Sequence, residues 1–249
     1  MGKFFNRHMF AIAGMSIAFY ACTEKTESVS PLDSLGIEVS SVENREYSFT
    51  DKKSGFWYGT THQDSVFFWS GWNISKKRIL SDYQLYVDGN LLNRKNAACI
   101  VFPNKLVRTW NIAEETFSLV DDRPVLYINI DKVSGDSIGI YLNKDLLSDC
   151  KNDKDGVFYI PKEDGNNRIL LSPAVDNGFT FSDNGINTPK SSEGFIITYG
   201  TEDECKKLLQ EFRSEGELWL KERADRMSSL ITEYNPVKSN LEELDKALN

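Results

Sequence analysis

From about Leu35 to Thr198 the apolar residues of this chain recur at every second position, in runs too short for helices and separated by residues that turn the backbone. The stretch "YQLYVDGNLL" is the clearest case. Tyr83, Leu85 and Val87 alternate with polar neighbours, and the run then meets Asp88-Gly89, a pair that accepts the positive φ of a tight hairpin. Ser134-Gly135, Asp164-Gly165, Asn177-Gly178 and Asn184-Gly185 signal further turns, and around them lie "PVLYINI", "SIGIYL", "GVFYI", "RILLS", "FTFS" and "GFIITYG". β-Branched and aromatic side chains suit a pleated, half-buried surface. The spacing therefore predicts a mainly β fold, a sandwich of more than ten short strands over residues 35–200 with no internal domain boundary.

The period changes at Thr201. "TEDE" is a capping box, with Thr201 placed to accept from the backbone at Glu204 and Glu204 reaching back. Cys205, Leu208, Leu209 and Phe212 follow at helical spacing, and Trp219, Met227, Leu230, Ile231 and Tyr234 carry the apolar face on to Pro236. This predicts a linker helix over 201–235, weakened or bent at Gly216. Beyond it, in "NPVKSNLEELDKALN", Ser239 or Asn240 can cap a short helix whose Leu241, Leu244 and Leu248 share one face. A helix of about nine residues is not stable alone in water, so the stripe over 236–249 is expected to cover a surface supplied elsewhere.

The N-terminus carries an address. Lys3 and Arg7 precede the apolar run "MFAIAGMSIAFYA", which is shorter than the roughly 20 residues of a membrane span and leads into Cys22. "AFYAC" resembles the lipobox of bacterial lipoproteins, which implies a signal peptide over 1–21, lipidation of Cys22 and anchorage in the envelope of a Gram-negative bacterium, periplasmic or surface-exposed. The polar segment 22–34 is then a tether. Loss of residues 1–21 removes two basic residues and no acidic one, taking the formal charge from −8 to −10. An acidic chain gains nothing from counterion release on nucleic acid, and no nucleic-acid partner is expected.

Few residues here suit chemistry. Cys99, Cys150 and Cys205 have neither Cys-x-x-Cys nor Cys/His spacing, so no metal or cofactor is expected, and they read as small core residues. "KNDKDG" (Lys151–Gly156) resembles the start of a calcium loop but has Lys151 first and Lys162 twelfth, where carboxylates are needed. Adjacent Glu114-Glu115 and Asp121-Asp122 cannot share one face of a strand, and are placed in turns or on solvated edges. His62 and Asp64 form a candidate dyad without an identifiable nucleophile. No catalytic residue is assigned.

The aromatic residues say more. "SGFWYGTTHQDSVFFWSGWN" (Ser54–Asn73) reads as two strands around a polar loop, with Trp57, Trp69 and Trp72 as candidate glycan-stacking residues, because flat indole faces suit sugar rings. Alternation must send some of these rings inward, and at least two of the three are expected in the core.

That stretch, together with "DYQLYVDGN", "PNKLVRTWNIAEETFSLVDDRPVLYINI" and "YNPVKSNLEELDKALN", resembles the N-terminal region of bacterial glycogen-debranching-type glycoside hydrolases, relatives of trehalase-like and glucoamylase-like enzymes. The resemblance spans nearly the whole mature chain. It implies a β-supersandwich, a linker helix and then a short truncated helix that opens a catalytic α/α barrel. The catalytic carboxylates of that family lie on barrel loops, so none is carried over to this sequence, and the chain alone is expected to be inactive. The implied role is that of the non-catalytic N-terminal domain of an α-glucan-acting hydrolase, as a fragment of the longer enzyme or as the partner of a separate catalytic barrel chain; the alternatives are a free-standing glycan-binding lipoprotein and a purely structural envelope lipoprotein.

Overall fold

The computed structural model describes residues 31–63, 68–182 and 184–233. The expected signal peptide, Cys22 and the short helix over 236–249 lie outside the described residues, as does Asp64. The chain opens on a 3₁₀ turn, Pro31–Leu35, whose Leu32 is buried and which contacts the C-terminal helix. The last part of the expected tether is therefore folded onto the protein.

Eighteen strands follow among the described residues. The first seven are β1 (Ile37–Val39), β2 (Glu46–Thr50), β3 (Gly55–Thr60), β4 (Gly71–Ile74), β5 (Lys77–Leu80), β6 (Tyr83–Val87) and β7 (Asn90–Leu91). Next come β8 (Ala98–Val101), β9 (Leu106–Trp110), β10 (Ala113–Leu119), β11 (Val125–Asp131), β12 (Ser137–Leu142) and β13 (Leu147–Asp153). The last five are β14 (Gly156–Pro161), β15 (Arg168–Pro173), β16 (Thr180–Ser182), β17 (Gly185–Pro189) and β18 (Gly194–Gly200), and one helix, α1 (Glu202–Glu233), closes the described chain. The fold is mainly β, as the alternation requires.

The strands form three antiparallel sheets. A nine-stranded sheet runs β1-β8-β9-β10-β11-β18-β15-β14-β13, a five-stranded sheet β16-β17-β12-β6-β7, and a four-stranded sheet β2-β3-β4-β5. The hairpin between β6 and β7 turns on Asp88 (φ 47°) and Gly89 (φ 76°), with Val87 opposite Asn90, so the two central residues do occupy the left-handed region.

One core joins all three sheets. Phe117 on β10 lies 6.1 Å from Phe49 and 5.1 Å from Trp57 on the four-stranded sheet, and 6.1 Å from Tyr83 on the five-stranded one. Fully burying a side chain of this kind contributes roughly 1.5–3 kcal/mol. The two smaller sheets thus cover one face of the large sheet in a sandwich-like arrangement.

The other face of the large sheet is covered by α1. Cys205, Leu209, Phe212, Gly216, Trp219 and Arg223 are its buried residues, alternately four and three apart, and they form one narrow stripe. The apolar part of the stripe packs on Val120, Val125, Phe158, Leu170 and Ile196. The capping box forms as expected: Glu204 N donates to Thr201 Oγ1 (3.3 Å) and Thr201 N to Glu204 Oε2 (2.8 Å). Gly216 does not break the helix, which continues through it to Glu233. A Cβ at this position would lie 2.8 Å from the Phe212 ring, so the glycine leaves room for that ring to lie flat on the helix. Arg223 ends the stripe, donating to the carbonyls of Asn104 (3.2 Å) and Thr50 (2.9 Å) and to Asp121, which Arg226 also reaches at 2.6 Å. Among the described residues no helix is long and apolar enough to cross a membrane.

Candidate ligand-binding surface

Alternation decides where the tryptophans point. Trp57 on β3 and Trp72 on β4 are cross-strand partners, and both are buried, at 2% and 0% exposure. Trp57 Nε1 donates to Tyr47 Oη (3.2 Å), whereas Trp72 Nε1 is buried without a partner. With their faces covered by core side chains, neither ring is open to a sugar. Trp69 is different: it is 52% exposed in the connection between β3 and β4, with Phe68 at 79% and the two rings edge-on at 5.0 Å. The sequence cluster therefore splits into two core tryptophans and one surface tryptophan.

The candidate acids and bases are held by one another. Glu114 points outward, accepting from Lys132 (2.8 Å) and Thr109 (3.0 Å). Glu115 points inward rather than onto a solvated edge. It is 1% exposed, bonded to Arg108 Nη1 (3.0 Å) and to the Tyr83 hydroxyl, while Arg108 also donates to the carbonyls of Thr60 (3.1 Å) and Thr61 (2.9 Å). Asp121 is taken up by Arg223 and Arg226, and Asp122 sits beside it at φ 61°, paired with Lys52 at 3.2 Å. Breaking a buried pair of this kind leaves an uncompensated charge, which makes these groups structural anchors.

His62 is equally enclosed. Nδ1 is 2.9 Å from Thr61 Oγ1 and Nε2 is 3.2 Å from the Ala97 carbonyl. Burial, reinforced by the nearby Arg108 guanidinium, holds its pKa below the usual histidine value. The Cys99 and Cys205 thiols are buried and free, each pushed up to about 11 by desolvation, so the thiolate needed for nucleophilic attack is suppressed. Asp153, in the calcium-like stretch, accepts from Lys206 at 2.8 Å. Among the described residues no group of three metal-ligating side chains occurs.

A second aromatic surface lies on the outer face of the five-stranded sheet. On β6 the alternation that buries Tyr83, Leu85 and Val87 turns Gln84 and Tyr86 outward. On β12 it buries Ile138, Ile140 and Leu142 and turns Tyr141 outward, and on β17 it turns out Asn187. Pairing places these residues in two rows: Tyr86 opposite Gly139 opposite Asn187, and Gln84 opposite Tyr141 opposite Gly185, with Ser182 on β16 next in line. The Tyr86 and Tyr141 rings meet edge-on at 4.8 Å. Tyr141 Oη accepts from Ser182 Oγ (2.8 Å) and Asn187 Nδ2 (3.1 Å), and Tyr86 Oη donates to Gln84 Oε1 (3.1 Å).

At the end of this face Gln84 and Tyr141 also line a cleft of about 350 Å³, whose walls include Ser81, Asn143 and Asn184 and the charged Arg78, Asp82, Lys144 and Asp145. Sequence reasoning missed this surface. The signal was present, since "YQLYV" and "SIGIYL" each place a tyrosine on the solvent phase of an otherwise buried strand.

No protein-family model matches the chain, and a search of curated proteins finds no similar one.

Proposed function

We propose that this chain is a non-catalytic, carbohydrate-associated module of an α-glucan-acting glycoside hydrolase of the glycogen-debranching type, anchored to the envelope through Cys22 and working beside a catalytic barrel. The observation that carries this reading is the path of α1. Its buried stripe ends at Arg223, no residue from Ala224 to Glu233 is buried, and Leu230 is 39% exposed. A helix gains stability in a protein chiefly from packing its apolar stripe, and α1 runs on for about ten residues past its last buried position, as a connector to a further surface does. The commitment of Glu115, Asp121 and Arg108 to internal ion pairs supports the non-catalytic part of the reading.

A free-standing glycan binder is the second reading, favoured by the open tyrosine face of the five-stranded sheet. Both readings require association with carbohydrate. The full chain run in a native gel cast with glycogen is expected to be retarded relative to a glycogen-free gel, and to release no reducing sugar from glycogen in solution. Turnover that persists through repurification overturns the non-catalytic role, and unaltered mobility overturns association with α-glucan.

A further inference from the structure

Resting on that carbohydrate-associated reading, we propose that the outer face of the five-stranded sheet is a binding surface for a neutral glycan, with Tyr86 and Tyr141 presenting rings and Gln84 and Asn187 hydrogen-bonding hydroxyls. Three observations converge on it. The first is shape. Gly139 stands between Tyr86 and Asn187, and Gly185 stands beside Tyr141; both glycines are buried, so the tyrosine side chains and the Asn187 amide, rather than the bare sheet, form the outer surface that a flat ring would meet. A Cβ at Gly139 would lie 2.3 Å from Asn187 Oδ1, which shows the amide lying across the glycine, close to the tyrosine pair.

The second is charge. Leu91, Tyr86, Asn187 and Thr180 make up one row with Gly139, and Gln84, Tyr141 and Ser182 the other with Gly185, and none of them is ionic. A phosphorylated or acidic ligand would find no cation within the rows, whereas a neutral polyol finds amides and hydroxyls that both donate and accept. The Tyr141 oxygen already accepts twice, which leaves its own proton to donate outward.

The third is unmet hydrogen bonding. The adjoining cleft shares Gln84 and Tyr141 with the face, and on its wall Ser81 is 5% exposed with Oγ lacking any partner. A buried hydroxyl without a partner costs free energy, and the enclosed Ser81 oxygen would recover it if the wall opened toward an entering hydroxyl. The cleft gives the flat face a deeper end, where one sugar unit of a chain can be held.

The test uses the full chain in glycogen-containing native gels, with Tyr86→Ala, Tyr141→Ala, Tyr141→Phe, Gln84→Ala and Trp69→Ala beside the wild type and thermal midpoints measured for each. Tyr86→Ala and Tyr141→Ala are expected to weaken retention about tenfold, as loss of an aromatic contact does. Tyr141→Phe and Gln84→Ala, which keep the sheet packing, are expected to weaken it several-fold at an unchanged midpoint, and Trp69→Ala to leave it unchanged. If an alanine variant fails to fold, Tyr141→Phe and Gln84→Ala decide. Wild-type retention with no loss in those two variants overturns the site while leaving the carbohydrate reading intact. Loss confined to Trp69→Ala moves binding to the β3–β4 connection and also overturns it. Absence of wild-type retention removes the reading on which the site rests.

Discussion

The two outer faces of this protein are built with the same period and meet different neighbours. On the nine-stranded sheet, β18 reads "GFIITYG" and is buried at every position from Gly194 to Tyr199, because one set of side chains enters the common core and the other lies under α1. On the five-stranded sheet, β6 reads "YQLYV" and alternates, with Tyr83, Leu85 and Val87 buried while Gln84 is exposed and Tyr86 half-buried on the outer set. A strand that is apolar on both phases signals a covered face, and a strand with polar residues on one phase signals an open one. Tyrosine is the informative exception: it can belong to an open face and still offer a large apolar surface.

The largest effects are expected in the common core. Trp72→Ala removes a fully buried indole between the sheets and should cost about 3–5 kcal/mol, measured by urea unfolding. A loss below about 1 kcal/mol would show that the covered and open aromatic sets had been assigned the wrong way round. The layer beneath α1 comes next. Leu209→Ala, under the helix, should cost about 2–5 kcal/mol, whereas Leu230→Ala, past the last buried turn, should stay within about 0.5 kcal/mol. Equal effects at the two leucines would contradict the helix leaving the sheet at Arg223.

Much of this contrast was legible in the sequence. Asp88-Gly89 and the capping box at Thr201 and Glu204 are local signals, set by backbone conformation and by hydrogen bonds a few residues apart, and both form as read. The division of the strands among three sheets was not legible. Placing β12 between β6 and β17 joins residues far apart in sequence, and no local propensity records that choice. Glu115 was misplaced for a related reason. The alternation that sends Glu114 outward sends Glu115 inward, directly opposite Arg108 across the β9–β10 hairpin, but the Tyr83 hydroxyl that completes its setting becomes a neighbour only once two sheets pack together. Trp57, Trp69 and Trp72 looked like one cluster because they are close in sequence. The strand register buries two of them, while Trp69 falls in the connection between strands.

A smaller effect isolates the start of α1. Thr201→Ala removes the oxygen that accepts from Glu204 N and should cost about 1 kcal/mol. The five-stranded sheet does not touch this capping box, so gel retention should be unchanged, and a parallel loss of both would show that the two faces are coupled.

The finest test of the contrast is pH. His62 is enclosed by Thr61, the Ala97 carbonyl and Arg108, and its pKa is lowered in the folded protein from an ordinary value of 6.5. Below that ordinary value the unfolded chain takes up a proton that the folded chain resists. Stability contributed by the neutral ring is therefore present above about pH 6.5 and is lost as pH falls toward the lowered folded value. The carboxylates with depressed pKa values, Asp88, Glu114, Asp153, Asp164 and Glu204, titrate in a more acidic window, so the decline between about pH 7 and 5 reports mainly on His62. His62→Gln should flatten that decline in urea midpoints taken across this range. The outer tyrosine rows carry no carboxylate or histidine, so glycogen retention by the folded wild type should stay level over the same interval. A retention curve that follows the stability curve would place a titrating group on the face assigned here as neutral.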